Sequence, residues 1–210
     1  MFATLKQPLP RTALLAGLAL AVAPFAQAGI IYTDLSKSPL KIPNTFDGTY
    51  LNVVNGDNGK NPANVPGWDL NFYNDDTGLA FFSNTGSGIV AKGTQASALA
   101  AGTLISSASN FRGGVAAGDA FQVDATEYLG FSFKNESTGK TNYGWALLST
   151  TFKNNNNAGF PAAILGYAFD DSGAGIRVAA TSVVPEPGSF ALFGLGALAM
   201  GAIARRRRTL

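Results

Sequence analysis

Apolar and polar residues alternate with a period of two along most of the chain between Gly29 and Val184. In "YLGFSFKN", for example, Leu129, Phe131 and Phe133 fall on one face of an extended chain. This alternation is typical of strands that bury one face. The same pattern recurs in "GTYLNVV", "GWDLNFY", "GLAFFS", "TNYGWALLST" and "AAILGYAFDD", and more weakly in "GDAFQVD" and "GIRVAA".

The segments between these strands are rich in Gly, Asn and Asp, which favour turns. Helix-period patterns are scarce, and only Ala96 to Ala101 could form a single helical turn. Many strands closed by such turns predict an all-β fold. We therefore expect residues 29–182 to form one domain, a single antiparallel β-sandwich of the jelly-roll kind.

The N-terminal segment, residues 1–28, has the pattern of a secretory signal peptide. A basic start precedes an apolar run from Thr12 to Ala23, and Ala26, Gln27 and Ala28 then give the small-x-small pattern accepted by signal peptidase. A transmembrane anchor is the alternative, but this run is too short to span a bilayer. We expect cleavage between Ala28 and Gly29.

The C-terminal segment, residues 183–210, combines three features. Pro185, Glu186 and Pro187 cannot join a helix or a central strand, so they should stay extended. An uncharged run of 17 residues follows, Gly188 to Ala204, which as a helix would span about 26 Å, close to a hydrocarbon core. It predicts a transmembrane helix held with its charged end in the cytoplasm by Arg205, Arg206, Arg207 and Arg208.

This arrangement of Pro-Glu-Pro, short apolar helix and terminal Arg cluster resembles the PEP-CTERM sorting signal of exported proteins of Gram-negative bacteria. The resemblance implies recognition by an exosortase and processing near Pro-Glu-Pro, in an organism that makes exopolysaccharide. It implies anchoring in the inner membrane before processing, and a final place on the cell surface or in a biofilm matrix. The phrases "GFSFKNESTGKTNYGWALL" and "ILGYAFDDSGAGI" also resemble an ectodomain found ahead of such tails, which has no established activity.

Charge and composition exclude several classes of function. Between the two terminal segments, nine Lys and Arg face twelve Asp and Glu, a net charge of −3, so nucleic acid is not an expected partner. The chain has no Cys and no His. Thiolate and imidazole metal sites and Ser-His or Cys-His nucleophiles are therefore excluded. We expect no cofactor and no metal centre, and the sequence leaves open only whether a loop of Asp and Asn residues binds calcium.

Carboxylates are the remaining candidates for catalysis. The pairs Asp75-Asp76 and Asp170-Asp171 and the stretch Asn55 to Asn61 have the composition of turns. Cleavage of a glycoside needs two carboxyls that face each other across the sugar, and the candidates are Asp69, Asp124, Glu127 and Glu136, of which Glu136 is expected in a hairpin. Because most acidic residues lie beside turn residues, we expect water to keep their pKa values ordinary and the protein not to be an enzyme.

Carbohydrate binding remains open, since exposed aromatic rings and amides are the usual sugar contacts. Trp68 and Trp145 alternate with apolar residues and are expected in the core, whereas Tyr50 and Tyr73 are the better candidates for exposed rings. Asn154 to Asn157 should form a solvated loop. The sequence therefore predicts a non-catalytic, structural protein of the envelope or matrix. A module that binds exopolysaccharide is the first alternative, and an enzyme on polysaccharide is the second.

Overall fold

The computed structural model describes residues 29–152 and 157–182. Within these ranges the chain forms strands and two short 3₁₀ helices, η1 (Pro62–Asn64) and η2 (Asp119–Phe121). The strands are β1 (Ile30–Asp34), β2 (Leu40–Ile42), β3 (Thr49–Leu51), β4 (Asn58–Gly59), β5 (Leu70–Asn74), β6 (Leu79–Ser83), β7 (Gly88–Lys92), β8 (Gln95–Ala96), β9 (Ala98–Leu99), β10 (Leu104–Ile105), β11 (Phe111–Arg112), β12 (Gly114–Ala116), β13 (Ala125–Lys134), β14 (Thr141–Thr151), β15 (Gly159–Asp170) and β16 (Ile176–Arg177).

Fourteen of these strands form one continuous, curled sheet, in the order β1-β15-β14-β13-β7-β8-β12-β6-β5-β3-β4, with β2, β9 and β11 attached at its side; β10 and β16 pair separately. The strand pairs are antiparallel except β12 with β8, which is parallel. The all-β prediction is confirmed. The two separate antiparallel sheets of a sandwich are not shown, because hydrogen bonding passes through β7 from one half of the sheet to the other.

The main core contains side chains from both halves of this sheet. Phe72 and Phe81 come from β5 and β6, and Phe131 and Phe133 come from β13. Phe72 and Phe81 meet edge to face with their centroids 5.8 Å apart, and the tilted rings of Phe131 and Phe133 lie 5.9 Å apart. Gly144 lies opposite Phe131, and a Cβ at Gly144 would stand 2.4 Å from that ring. Only glycine therefore lets β14 pass this close to the phenyl group.

A second cluster of buried side chains lies on the other face of β14, centred on Trp145. The Trp145 ring is 2 % exposed, and its Nε1–H donates to the carbonyl of Ala180 at 3.2 Å. The rings of Tyr32 and Tyr128 lie 5.8 and 5.3 Å from it, and Ile176 of β16 packs in the same cluster. The expectation that Trp145 is a core residue is confirmed.

The two ends of the described domain meet on neighbouring strands. The backbone N–H of Gly29 donates to the carboxylate of Asp171 at 2.8 Å, and β1 pairs along its length with β15, Ile30 opposite Asp170. Neither 3₁₀ helix, nor any other described segment, is an apolar helix of membrane-spanning length. The predicted signal peptide with Ala26 and Ala28, and the predicted sorting segment from residue 183 to residue 210, lie outside the described residues.

Candidate functional site

The candidate site lies on the outer face of β5. Leu70 and Phe72 point into the main core and are each 1 % exposed. Because side chains alternate along an extended chain, Asn71 and Tyr73 lie on the opposite face. Asp69, one residue before the strand, lies two positions before Asn71. The prediction from the alternation in "GWDLNFY" is therefore confirmed for Leu70 and Phe72, which both lie in the core.

Three aromatic side chains gather over this face, and we refer to Tyr50, Trp68 and Phe82 as the aromatic cluster. The Trp68 ring centroid lies 4.9 Å from that of Tyr50 and 6.2 Å from that of Phe82. Tyr50 and Phe82 are the cross-strand neighbours of Asn71 on its two sides. Phe82 is 46 % exposed, and the other two rings are half-buried. The cluster therefore offers apolar ring surface to the solvent.

The expectation that Trp68 belongs to the core is wrong. The strand begins only at Leu70, and Trp68 belongs to the preceding turn, in which its N–H bonds to the carbonyl of Val65 at 3.1 Å. The alternation that places Leu70 and Phe72 inside therefore does not extend to Trp68. Its ring turns to the outer face, where Tyr50 and Phe82 lie.

Asn71 lies between Tyr50 and Phe82 in the same cross-strand row. It is 5 % exposed, and its Oδ1 has no hydrogen-bond partner. A buried acceptor without a partner costs about 1–3 kcal/mol. The outer face thus holds a hydrogen-bond acceptor beside its apolar rings.

A second pair of rings extends the aromatic surface along β5. Tyr73 lies two residues beyond Asn71, and Phe46, which is 72 % exposed, meets it edge-on with centroids 5.9 Å apart. Tyr50 and Tyr73, the rings predicted to be exposed, are both half-buried on this outer face. Burial raises the pKa of both phenols, helped by Asp47 near Tyr50 and Asp75 near Tyr73, so both stay neutral at physiological pH.

A polar pocket opens beside Trp68 and has a volume of about 420 Å³. We call it the acidic pocket, because it brings together Asp69 and Glu136, two of the carboxylates selected from the sequence. Its other polar lining residues are Asn84, Thr85, Ser87 and Lys134. Glu136 reaches the pocket from the turn between β13 and β14, which confirms that it lies in a hairpin.

Two neighbouring residues hold the two carboxylates. The N–H of Val53 donates to Asp69 Oδ2 at 2.9 Å. The side-chain amide of Asn52, which is 1 % exposed, donates to Glu136 Oε1 at 2.6 Å and to the carbonyl of Pro66 at 3.0 Å. Asn52 was missed in the sequence analysis, because no local pattern shows that an asparagine after a short strand is buried and donates a hydrogen bond to a side chain far along the chain.

Asp69 has the most strongly altered acidity among the described groups with a stated shift. Its pKa is raised from the ordinary 3.8 to about 7, mainly because the carboxyl is buried; the hydrogen bond from Val53 opposes this rise and the nearby Glu136 adds to it. The expectation of ordinary pKa values is therefore wrong for Asp69. At neutral pH this carboxyl is divided between its protonated and ionised forms.

The other predicted carboxylates do not line this pocket. Asp124 Oδ1 accepts a hydrogen bond from the N–H of Phe152 at 2.9 Å, and Glu127 lies half-buried on β13. Asp75 and Asp170 accept hydrogen bonds from the N–H two residues ahead, as turn residues do.

Two further stretches, Asn55 to Asn61 and Asn154 to Asn157, were predicted to form turns or loops. Of the stretch Asn55 to Asn61, the first three residues lie in the expected turn between β3 and β4, where Asn55 Oδ1 accepts from the N–H of Asp57 at 2.8 Å, whereas Asn58 and Gly59 form β4 itself. Of Asn154 to Asn157, only Asn157 lies in the described residues, and it accepts a hydrogen bond from Asn44. The described part of the chain contains no cluster of three carboxylates suited to a metal ion.

Comparison with known proteins identifies the C-terminal segment. Residues 183–208 match the PEP-CTERM protein-sorting motif, which confirms the resemblance noted in the sequence. The motif implies an exported protein that exosortase targets, anchored in the membrane and then processed. No curated protein and no solved structure matches the chain. The motif begins after the described domain and therefore gives its destination but not its activity.

Proposed function

We propose that this exported protein with a PEP-CTERM motif is a non-catalytic component of the cell envelope or extracellular matrix, and that its β domain acts there by binding polysaccharide. The observation that carries this proposal is the aromatic cluster beside the acidic pocket. For the domain itself we keep the jelly-roll sandwich as the proposed architecture, since side chains from both halves of the curled sheet share one core. Signal peptidase and exosortase are its proposed processing enzymes.

The aromatic cluster suits the apolar face of a sugar ring. A pyranose carries C–H groups on one side, and their contact with Trp68, Tyr50 or Phe82 would remove apolar area from water. Two of the three rings are half-buried and contact each other, so little side-chain freedom is lost when a ligand stacks on them. Tyr73 and Phe46 continue the surface along β5, which fits a chain of sugars better than a single one.

The acidic pocket supplies the polar contacts that such a site needs. The exposed Glu136 offers carboxylate oxygens, and Asn84 and Lys134 add amide and ammonium groups beside Trp68. Hydrogen bonds from sugar hydroxyls to charged acceptors are stronger than those to neutral ones. An apolar surface with a few convergent polar groups is the common design of small-ligand sites.

Trp68→Ala should weaken binding of neutral polysaccharide about tenfold, because the central ring of the aromatic cluster is removed. Affinity electrophoresis in gels that contain the source organism's exopolysaccharide, hydroxyethylcellulose or dextran measures the effect. Phe152→Ala is the matched control, since Phe152 is also an exposed ring, 55 % accessible, but follows β14 and lies outside the aromatic cluster. Equal retardation of the two variants, or no retardation of the parent protein in any gel, would contradict polysaccharide binding at this face.

A polysaccharide-cleaving enzyme is the second candidate, and Asp69 with Glu136 is the observation in its favour. A carboxyl that is half-protonated near pH 7 next to another carboxylate is the usual acid–base arrangement of glycosidases. However, Asp69 is only 3 % exposed, so little of its carboxyl is accessible to a glycosidic oxygen. Asn52 and Val53 also hold the two groups by hydrogen bonds that do not involve a ligand.

The exported protein should therefore release no new reducing ends and no unsaturated products from the source organism's polysaccharide. Reducing-end assays over long incubations check this, with a known polysaccharide hydrolase as positive control. Release of either product that is lost in Asp69→Asn or Glu136→Gln would identify the enzyme and its acid or base. Loss only in Asp124→Asn or Glu127→Gln would overturn the non-catalytic proposal and also place the catalytic site elsewhere.

A further inference from the structure

We propose that a second surface, the lysine groove between β2, β14 and β15, binds anionic glycan units, that is, sugars bearing a carboxylate or a sulfate group. This goes beyond the proposed function, because the groove shares no lining residue with the acidic pocket and none with the aromatic cluster. It has a volume of about 760 Å³ and is lined on one side by Lys41 and Lys60.

The sheet register builds the groove. Lys41 of β2 lies opposite Ala163 of β15, and Ala163 lies opposite Ser149 of β14. Side chains of directly opposed residues stand on the same face of a sheet. The small side chain of Ala163 therefore leaves a trough between Lys41 and Ser149, whose strands are two strand spacings, or about 10 Å, apart. Thr151 adds a second hydroxyl, and the exposed Pro39 and Pro161 contribute apolar surface.

The charge of the groove differs from that of the rest of the domain. Neither lysine ammonium forms an ion pair with a described residue, and none of the residues that line the groove is acidic. Yet the segment between the predicted signal peptide and the sorting motif has a net charge of −3. Positive charge is thus collected in one concave place without a partner from the protein.

The chemistry of the lining selects the class of ligand. Lysine ammonium groups only donate hydrogen bonds, and serine and threonine hydroxyls both donate and accept. A carboxylate or sulfate oxygen between Lys41 and Lys60 gains charge-assisted hydrogen bonds, while sugar hydroxyls can pair with Ser149 and Thr151. The groove is open and wide, which suits a polymer chain.

Nucleic acid fits this groove less well than an acidic polysaccharide. No aromatic side chain lines it, so unpaired bases would have no stacking surface. The negative charge of the surrounding domain also repels a densely charged phosphate backbone. An acidic glycan needs no stacking surface, because its hydroxyls can pair with Ser149 and Thr151 while its acid groups contact the two lysines.

The test uses the exported protein as the cells release it, in affinity gels that contain polygalacturonate, dextran sulfate, uncharged dextran or single-stranded DNA. Lys41→Gln with Lys60→Gln should weaken binding of polygalacturonate or dextran sulfate about tenfold at low salt. Lys92→Gln with Lys140→Gln removes the same charge from two exposed lysines outside the groove, and should change binding by less than about twofold. The acidic glycan that is retained identifies carboxylate or sulfate as the natural group.

Three results would overturn the proposal: no retention by either acidic glycan, an equal loss in the control pair, or DNA retained as tightly as polygalacturonate. Circular dichroism shows whether the exposed substitutions leave the fold intact. Lys41→Gln with Lys60→Gln should leave the affinity for uncharged dextran unchanged within about twofold, because neither lysine belongs to the aromatic cluster. A failure at the aromatic cluster is therefore distinguishable from a failure at the lysine groove.

Discussion

Trp145→Ala is expected to lower the free energy of unfolding by about 3–5 kcal/mol, a large part of the stability of a domain of this size. The ring fills the centre of the second cluster, and its removal leaves a cavity among Tyr32, Tyr128 and Ile176. The Ala180 carbonyl also loses its hydrogen bond from Trp145. Urea unfolding, followed by far-UV circular dichroism, measures the change.

The protein contains a matched control for this substitution in its other tryptophan. Trp68 is half-buried on the outer face, with Phe82 beside it largely in solvent. Trp68→Ala should therefore cost about 1–2 kcal/mol less than Trp145→Ala, since part of the Trp68 ring already lies in solvent and its removal leaves a depression open to water instead of a closed cavity. A near-neutral Trp145→Ala, or equal losses for the two substitutions, would show that residues 176–180 do not cover Trp145.

The second large effect is a dependence of stability on pH that is due to Asp69. Its pKa in the folded domain is about 7, raised from 3.8, so between these values the unfolded chain has released a proton that the folded chain retains. Stability therefore falls as pH rises through this window and is lowest above pH 7. Ionised Asp69 should cost on the order of 3 kcal/mol at neutral pH.

Asp69→Asn removes this dependence, because the amide is neutral at every pH and its oxygen can still accept the hydrogen bond from Val53. The variant should be more stable than the parent above about pH 7 and close to it near pH 4. Urea unfolding across this range gives the difference curve, in which the other titrating groups cancel. Asp119→Asn, at an exposed position in η2, is the control; a difference curve equally flat for both variants would refute the assignment to Asp69.

The fold was predictable where strands are long and regular. In β13 the alternation placed Leu129, Phe131 and Phe133 on one face, and all three are 0 % exposed in the main core. In β15 the same alternation places Leu165 on the face of Tyr167 and Phe169, and this prediction is wrong for Leu165. The register shifts where Leu147 and Leu148 of β14 face it, so Ile164, and not Leu165, joins the core side of Tyr167. A bulge adds one residue and changes the inward face, and no local pattern marks its position.

The candidate site was only partly visible in the sequence. Asp69 and Glu136 were selected singly, because both carry carboxylates outside long apolar runs. Their meeting depends on the hairpin that carries Glu136 folding back to the segment before β5, which is long-range information. The altered pKa of Asp69 arises from burial beneath that hairpin and from the neighbouring carboxylate, so composition near Asp69 could not reveal it.

The pairing of the first strand with β15 sets an order for folding during export. Ile30 and Asp170 are opposite each other although 140 positions separate them, and such distant contacts make folding slow, from milliseconds to seconds. A chain that crosses a membrane from its N-terminus delivers β1 long before its partner. Until nearly all of the domain has crossed the membrane, the edge of β1 stays unpaired, and its backbone groups can pair with strands of other chains. A chain truncated before β15 would leave β1, β2 and β14 without their common partner and is expected to aggregate.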